Sequence, residues 1–230
     1  DVDHGIQLPD DIHALNDAAT ADVLIQIALG NEALAENRNE QAQQYFTHAI
    51  NQRPNNPDAI AGLGQAIIHL DKKDRESWRS KVTGDLFHDP GVLSVLGQYE
   101  EKQYRFEGAV NAYARVVKKR PDSRIAWHRL GLCLSRVGRT EEAILALARA
   151  KELQQMALWL EDLFQHREHV ELIHRVASQL ASMGRAAEAN AWCGYVLQNA
   201  PQTRWAQSLY QRLNSDSESL VAKEVEASLI

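Results

Sequence analysis

His166, Glu168, His169 and His174 form the densest group of potential metal ligands in the sequence. A structural zinc site needs four nitrogen, sulfur or oxygen donors converging on a tetrahedron. His169 and His174 are five residues apart, so a helix does not stack them as it stacks residues three or four apart. No cysteine or aspartate cluster nearby completes a set, and the group reads as surface histidines at a helix boundary, with no metal expected. Cys133 and Cys193 fall at positions that face neighbouring helices and read as buried free thiols acting as small hydrophobes. A disulfide between them would require Cα atoms within about 7 Å.

Motifs for catalysis are missing. There is no glycine-rich phosphate loop, no nucleophile elbow and no His-Glu-x-x-His helix. Carboxylates such as Glu40, Glu141, Glu142 and Glu188 fall on outer helix faces, where charge normally just faces water. The chain therefore reads as non-enzymatic, with no cofactor.

A different set of polar residues recurs at a regular place: Asn31 with Leu34, Gln65 with His69, Gln98 with Lys102, His128 with Arg136, and His174. All lie on the first helix of successive helical pairs, on the side expected to line a shared groove. This lining is mixed polar with some positive character, against a net charge of −6 for the 230-residue chain. The expected ligand is an extended polypeptide with acidic or amide side chains. Its backbone would bond to Gln and Asn, and Lys102 and Arg136 would engage its carboxylates.

The elements that must position these residues follow one template, clearest over Trp127–Ala150. Trp127-x₂-Leu130-Gly131-x₂-Leu134 leads to Gly138, then Ala143-x₃-Leu147-x₂-Ala150. Gly131 and Ala143 are small where two helix backbones approach. Trp127, Leu130, Leu134 and Leu147 fill the space between helices. Gly138 suits the left-handed end of the first helix. Thr140 is expected to cap the second helix, with Glu141 and Glu142 at the positive end of its dipole.

The template repeats through Gly30, Gly64, Gly97 and Gly131 at spacings of 34, 33 and 34 residues. Residues 1–20 are a lead-in, with Pro9-Asp10-Asp11 opening a short capping helix that carries Ile12 and Leu15. Units are expected at about 21–54, 57–89, 90–121, 124–154 and 170–201. An insertion falls at 155–169, a capping helix at 202–213 and a flexible or partner-docking tail at 214–230. In the first unit, Asn37 stands at the helix–helix turn and tolerates the left-handed conformation. In the second unit Glu76 replaces the small residue and Ser80 the aromatic, so its second helix is expected to be short or loosely packed. Tyr104 occupies a turn position held elsewhere by Gly or Asn. The insertion carries Met156, Leu158, Trp159, Leu160, Leu163 and Phe164, too apolar for a free loop, and predicts an extra helix or a lengthened one.

These offsets resemble the tetratricopeptide repeat, and about five units from Ala21 to Pro201 carry the likeness. The resemblance implies an all-α, right-handed α-solenoid of antiparallel helix hairpins, closed by a capping helix. It also implies a concave surface, lined by the first helices, that holds a peptide or another protein. One subfamily grips a C-terminal carboxylate with a lysine, asparagine and arginine clamp. Asn31 matches one clamp position, but Ile27, Gly62, Gly91 and Val95 stand where the others should be, so a chaperone-adaptor role is disfavoured. The stretch Leu180–Pro201 is similar to the last repeats of bacterial arrays fused to propeller-like domains in exported proteins.

The expected function is a non-enzymatic protein–protein interaction scaffold. The alternatives are a docking or regulatory segment of a larger, exported bacterial protein or enzyme, and self-assembly through array ends or the tail. Mild acidity disfavours nucleic acid as a partner. No apolar run is long enough to span a bilayer. A soluble bacterial protein of cytoplasm or periplasm is expected. A start at Asp1 fits either a removed leader or a piece of a longer chain.

Overall fold

The computed structural model describes residues 23–68, 72–166 and 169–215, and among these all regular structure is helical. The expectations for residues 1–20, His69, Glu168 and most of the tail lie outside the described residues. The chain divides into a first unit ending at Leu153 and a second beginning at Gln154.

In the first unit the helices come as antiparallel pairs. They are α1 Val23–Ala35 with α2 Asn39–Gln52, α3 Pro57–Ile67 with α4 Lys72–Lys81, and α5 Pro90–Lys102 with α6 Phe106–Lys119. A fourth pair is α7 Arg124–Arg136 with the start of α8, Thr140–Gln165. In the first three pairs each helix packs on its partner, and α3 and α7 also pack on the second helix of the pair before. A short 3-10 turn, Gly84–His88, leads into α5.

First and second helices start by different means. The first helices α3, α5 and α7 are capped by Asn56, Asp89 and Ser123, whose side chains accept from the backbone N–H of Ala59, Val92 and Ala126. Pro57 and Pro90 follow two of these caps, where a missing N–H is harmless. The second helices α2, α6 and α8 instead emerge from left-handed turns at Asn37 (φ 59°), Tyr104 (φ 57°) and Gly138 (φ 81°). Arginine follows each turn. Arg38 donates to Gln41 at 2.6 Å, and Arg139 grips Glu142 through two bonds of 2.7 and 2.6 Å. The Ala143 N–H bonds the Arg139 carbonyl at 3.0 Å, so Arg139 is the cap residue. This corrects the expectation for Thr140, which is already the first helical residue.

Small residues on the first helices admit one large side chain each from the second. A Cβ on Gly30 would stand 2.7 Å from the Phe46 ring, one on Gly97 2.6 Å from the Tyr113 ring, and one on Gly131 2.6 Å from Leu147. Phe46, Tyr113 and Leu147 each follow their glycine by sixteen residues. In the second pair that position is Ser80, and Trp78 takes over. A Cβ on Gly64 would lie 2.6 Å from its indole. Trp78 is 1% exposed, and its ring tilts against buried Tyr99 at 6.2 Å between centroids. Helix α4 is thus short but not loose, because a larger ring reaches the same gap from two residues earlier.

The second unit holds the end of α8, then α9 Val170–Ser182, α10 Ala186–Asn199 and α11 over 204–215. The 155–169 insertion is therefore mostly a lengthening of α8 rather than an extra helix. Gly184 (φ 76°) makes the turn between α9 and α10, and Arg185 grips Glu188 as Arg139 grips Glu142. Ala177 and Cys193 meet the same spacing rule, and both are fully buried. Helix α11 begins two residues later than the 202–213 expected and packs with buried Ala206, Leu209 and Leu213.

Candidate functional site

The first helices of the first unit line two polar cavities. One, of about 410 Å³, is bounded by Ile27, Asn31 and Leu34 of α1, by Asp58, Ala61, Gly62 and Gln65 of α3, and by Gly91, Ser94 and Val95 of α5. Its hollow follows from side chains that are small or absent. Gly62 has no Cβ because the Phe46 ring fills that space from behind, and a Cβ on Gly91 would stand 3.1 Å from the Asp89 carboxylate. Arg120 and Ser123 also line it.

The second cavity, of about 280 Å³, is lined by Gln98, Glu101, Lys102 and Arg129. A network centred on the Glu101 carboxylate holds its wall. The Tyr113 hydroxyl donates to Glu101 Oε1 at 2.6 Å, and Arg129 Nη1 donates to Glu101 Oε2 at 3.2 Å. Burial first, and the Glu101 carboxylate second, push the Tyr113 phenol well above its usual range, so it stays a donor. Burial, aided by the same carboxylate, pushes the Cys133 thiol up to about 12.

Of the residues expected in the groove, Asn31, Leu34 and Gln65 line the first cavity and Gln98 and Lys102 the second. His69 lies outside the described residues. His128 and Arg136 are exposed on α7 and line neither cavity. His174, in the second unit, stacks on Trp205 with ring centroids 4.4 Å apart. Sequence reasoning missed Glu101, Tyr113 and Arg129 as a group. The signal was present but indirect: Arg129 sits two residues before Gly131, as Gly62 does before Gly64 and Val95 before Gly97, a place where the groove meets each helix.

Nothing in either cavity pairs a nucleophile with a base. Cys133 and Cys193 are free and buried thiols. Among the described residues no three His, Cys, Asp or Glu side chains are placed to hold a metal ion. His166 stands 4.0 Å from Asp162, four residues earlier on α8. No described helix is long and apolar enough to cross a membrane.

Hairpins stacked by a recurrent small residue, with polar first helices facing a hollow, define a helical-repeat protein. The tetratricopeptide-repeat family model matches residues 27–76 and 95–156, and the helix pairs over these residues are tetratricopeptide repeats. None of the curated proteins compared matches the chain. Among solved structures it is similar to MamA, at 17% identity and a TM-score of 0.50 over 63% of this chain and 85% of that one. It is also similar to TTC0263, a thermophilic protein of this class from Thermus thermophilus. That match has 18% identity and a TM-score of 0.48 over 84% and 98% of the two chains. A third is YrrB, described as having an unusual peptide-binding site, at 16% identity and a TM-score of 0.49 over 87% and 97%. Repeats of this kind commonly mediate protein–protein interaction and are generally scaffolds rather than enzymes.

Proposed function

We propose that the first unit binds an extended polypeptide segment, held chiefly through its backbone. The observation that carries this reading is the series Asn31, Gln65 and Gln98. Each follows the close-contact glycine of its first helix by one residue, and each lines one of the two cavities. A carboxamide offers a donor and an acceptor together, which is the complement of a peptide group. Packed helices lie about 8–10 Å apart. An extended chain covers that distance in about three residues, so successive amides match every third peptide group.

Hydrophobic anchoring is modest in this reading. Ile27, Leu34 and Ala61 offer apolar surface in the first cavity, beside Asn31 and Gln65. Affinity then depends on the amides, and the chain reads ligand shape and backbone more than side-chain bulk.

The test is selection of random peptides on the full chain, followed by binding to an Asn31→Ala, Gln65→Ala, Gln98→Ala triple variant whose helicity is verified by circular dichroism. Three lost hydrogen-bonding groups at about 1 kcal/mol each should weaken binding by tenfold or more. Undiminished binding to the triple variant would contradict the reading.

A further inference from the structure

We infer that the second cavity is an acid-reading subsite, in which Lys102 and Arg129 together take one side-chain carboxylate of the bound segment. Glu101 and Tyr113 act as positioning residues. This inference rests on the polypeptide-binding reading above and adds to it the chemistry that one position of the ligand must carry.

Both cations of the cavity have donors left over. Arg129 is 45% exposed and uses Nη1 to meet Glu101, and its remaining guanidinium donors stay available on the cavity wall. Lys102 is exposed and, among the described residues, makes no ion pair. It lines the same cavity as Gln98 and carries three ammonium donors.

The carboxylate already present does not compete for this role. Both oxygens of Glu101 are engaged, one by Tyr113 and one by Arg129, and its side chain is only 19% exposed. Two cations against one engaged carboxylate leave the cavity with a local charge of about +1 on a protein of net charge −6. A carboxylate bridging Lys102 and Arg129 makes charge-assisted bonds in a recess partly withdrawn from water, where they outlast surface pairs. Tyr113 is 1% exposed and cannot turn away, so Glu101 holds one orientation and fixes the Arg129 fork in turn.

Arg136, the other cation expected to serve here, does not line the cavity. Arg129 takes that place because it lies on α7, five residues after Arg124 opens it, close enough across the helix interface to bond Glu101.

The experiment uses dodecapeptides displayed with their carboxyl ends fused to a phage coat protein, so that any acid selected is a side chain. Selection on the full chain should enrich Asp or Glu at one register. A synthetic peptide with that Glu replaced by Gln should bind about tenfold more weakly. In Lys102→Gln, which leaves the Glu101–Arg129 pair intact, and in Arg129→Gln, the two peptides should bind alike. Tyr113→Phe should still bind peptide but show a reduced preference for Glu over Gln, an effect that lost stability alone does not produce. Peptides selected without acid enrichment, or a Glu preference that survives in both variants, would overturn the inference while leaving the polypeptide groove standing. Failure to select any peptide would remove both.

Discussion

The indole N–H of Trp78 donates to the carbonyl of Ile60 at 2.8 Å, tying the second helix of the second repeat to the first. A charged ten-residue helix is thereby anchored at one point. Truncating Trp78→Ala should lower the free energy of unfolding by about 3–5 kcal/mol. Trp78→Phe, which keeps most of the ring but loses the hydrogen bond, should cost about 1–2 kcal/mol. Chemical denaturation followed by helicity measures both, and equal small losses would show that α4 is peripheral to the core.

Phe46 seals the first repeat to the second by lying against both Gly30 and Gly62. Because Phe46 is fully buried, a methyl group at Gly62 has nowhere to go. Gly62→Ala should destabilise by about 1–3 kcal/mol through overpacking. Pairing it with Phe46→Leu should recover part of that loss, because a smaller side chain vacates the contested space. Strict additivity of the two changes in a denaturation cycle would count against the contact.

Tyr104 stands in a left-handed turn with φ 57°, and 83% of its surface is exposed. Its ring meets Phe106 edge-on at 6.4 Å, which offsets little of the backbone strain. Tyr104→Gly should therefore raise stability by about 1 kcal/mol, the cost of a side chain in that conformation. Asn37→Ala, at the equivalent turn of the first repeat, should lower it. A shift of the unfolding midpoint in the opposite sense for either would refute the strain argument.

The left-handed turns at Asn37 and Gly138 were legible because those residue types announce the conformation they permit. Gly30, Gly64, Gly97 and Gly131 were equally plain, since a fixed spacing and a missing Cβ record a close approach. Trp78 was not. Its ring serves the gap expected for Ser80, and only three-dimensional reach reveals a substitution displaced by two residues. Thr140 was misplaced for a related reason: a good capping residue follows a turn whose geometry assigns the cap to Arg139. The amides Asn31, Gln65 and Gln98 could be read from their register. The Glu101–Tyr113–Arg129 network could not, because its members meet only when α5, α6 and α7 pack.

Cys133 ties stability to alkaline pH. Burial raises its thiol to about 12 in the folded protein, above the roughly 8.5 of an exposed cysteine. The folded state then keeps a proton that the unfolded state gives up. This contribution is complete below about pH 8.5 and is lost as pH rises toward about 12. Tyr113, raised by burial, adds a loss of the same sign at higher pH. Denaturation midpoints should fall from about pH 9 upward, and Cys133→Ala should flatten the earlier part of that fall. A thiol reagent should label Cys133 only on unfolding, and rapid labelling of the native protein would contradict its burial.

The central claim is that carboxamides on successive first helices read the backbone of an extended polypeptide. It is tested most directly by N-methylating, one at a time, each peptide bond of a selected ligand and measuring its affinity for the full chain. The account predicts losses of about tenfold or more at peptide groups spaced by about three residues, absent in the Asn31, Gln65 and Gln98 triple alanine variant. Uniform tolerance of N-methylation in the unaltered chain would contradict it.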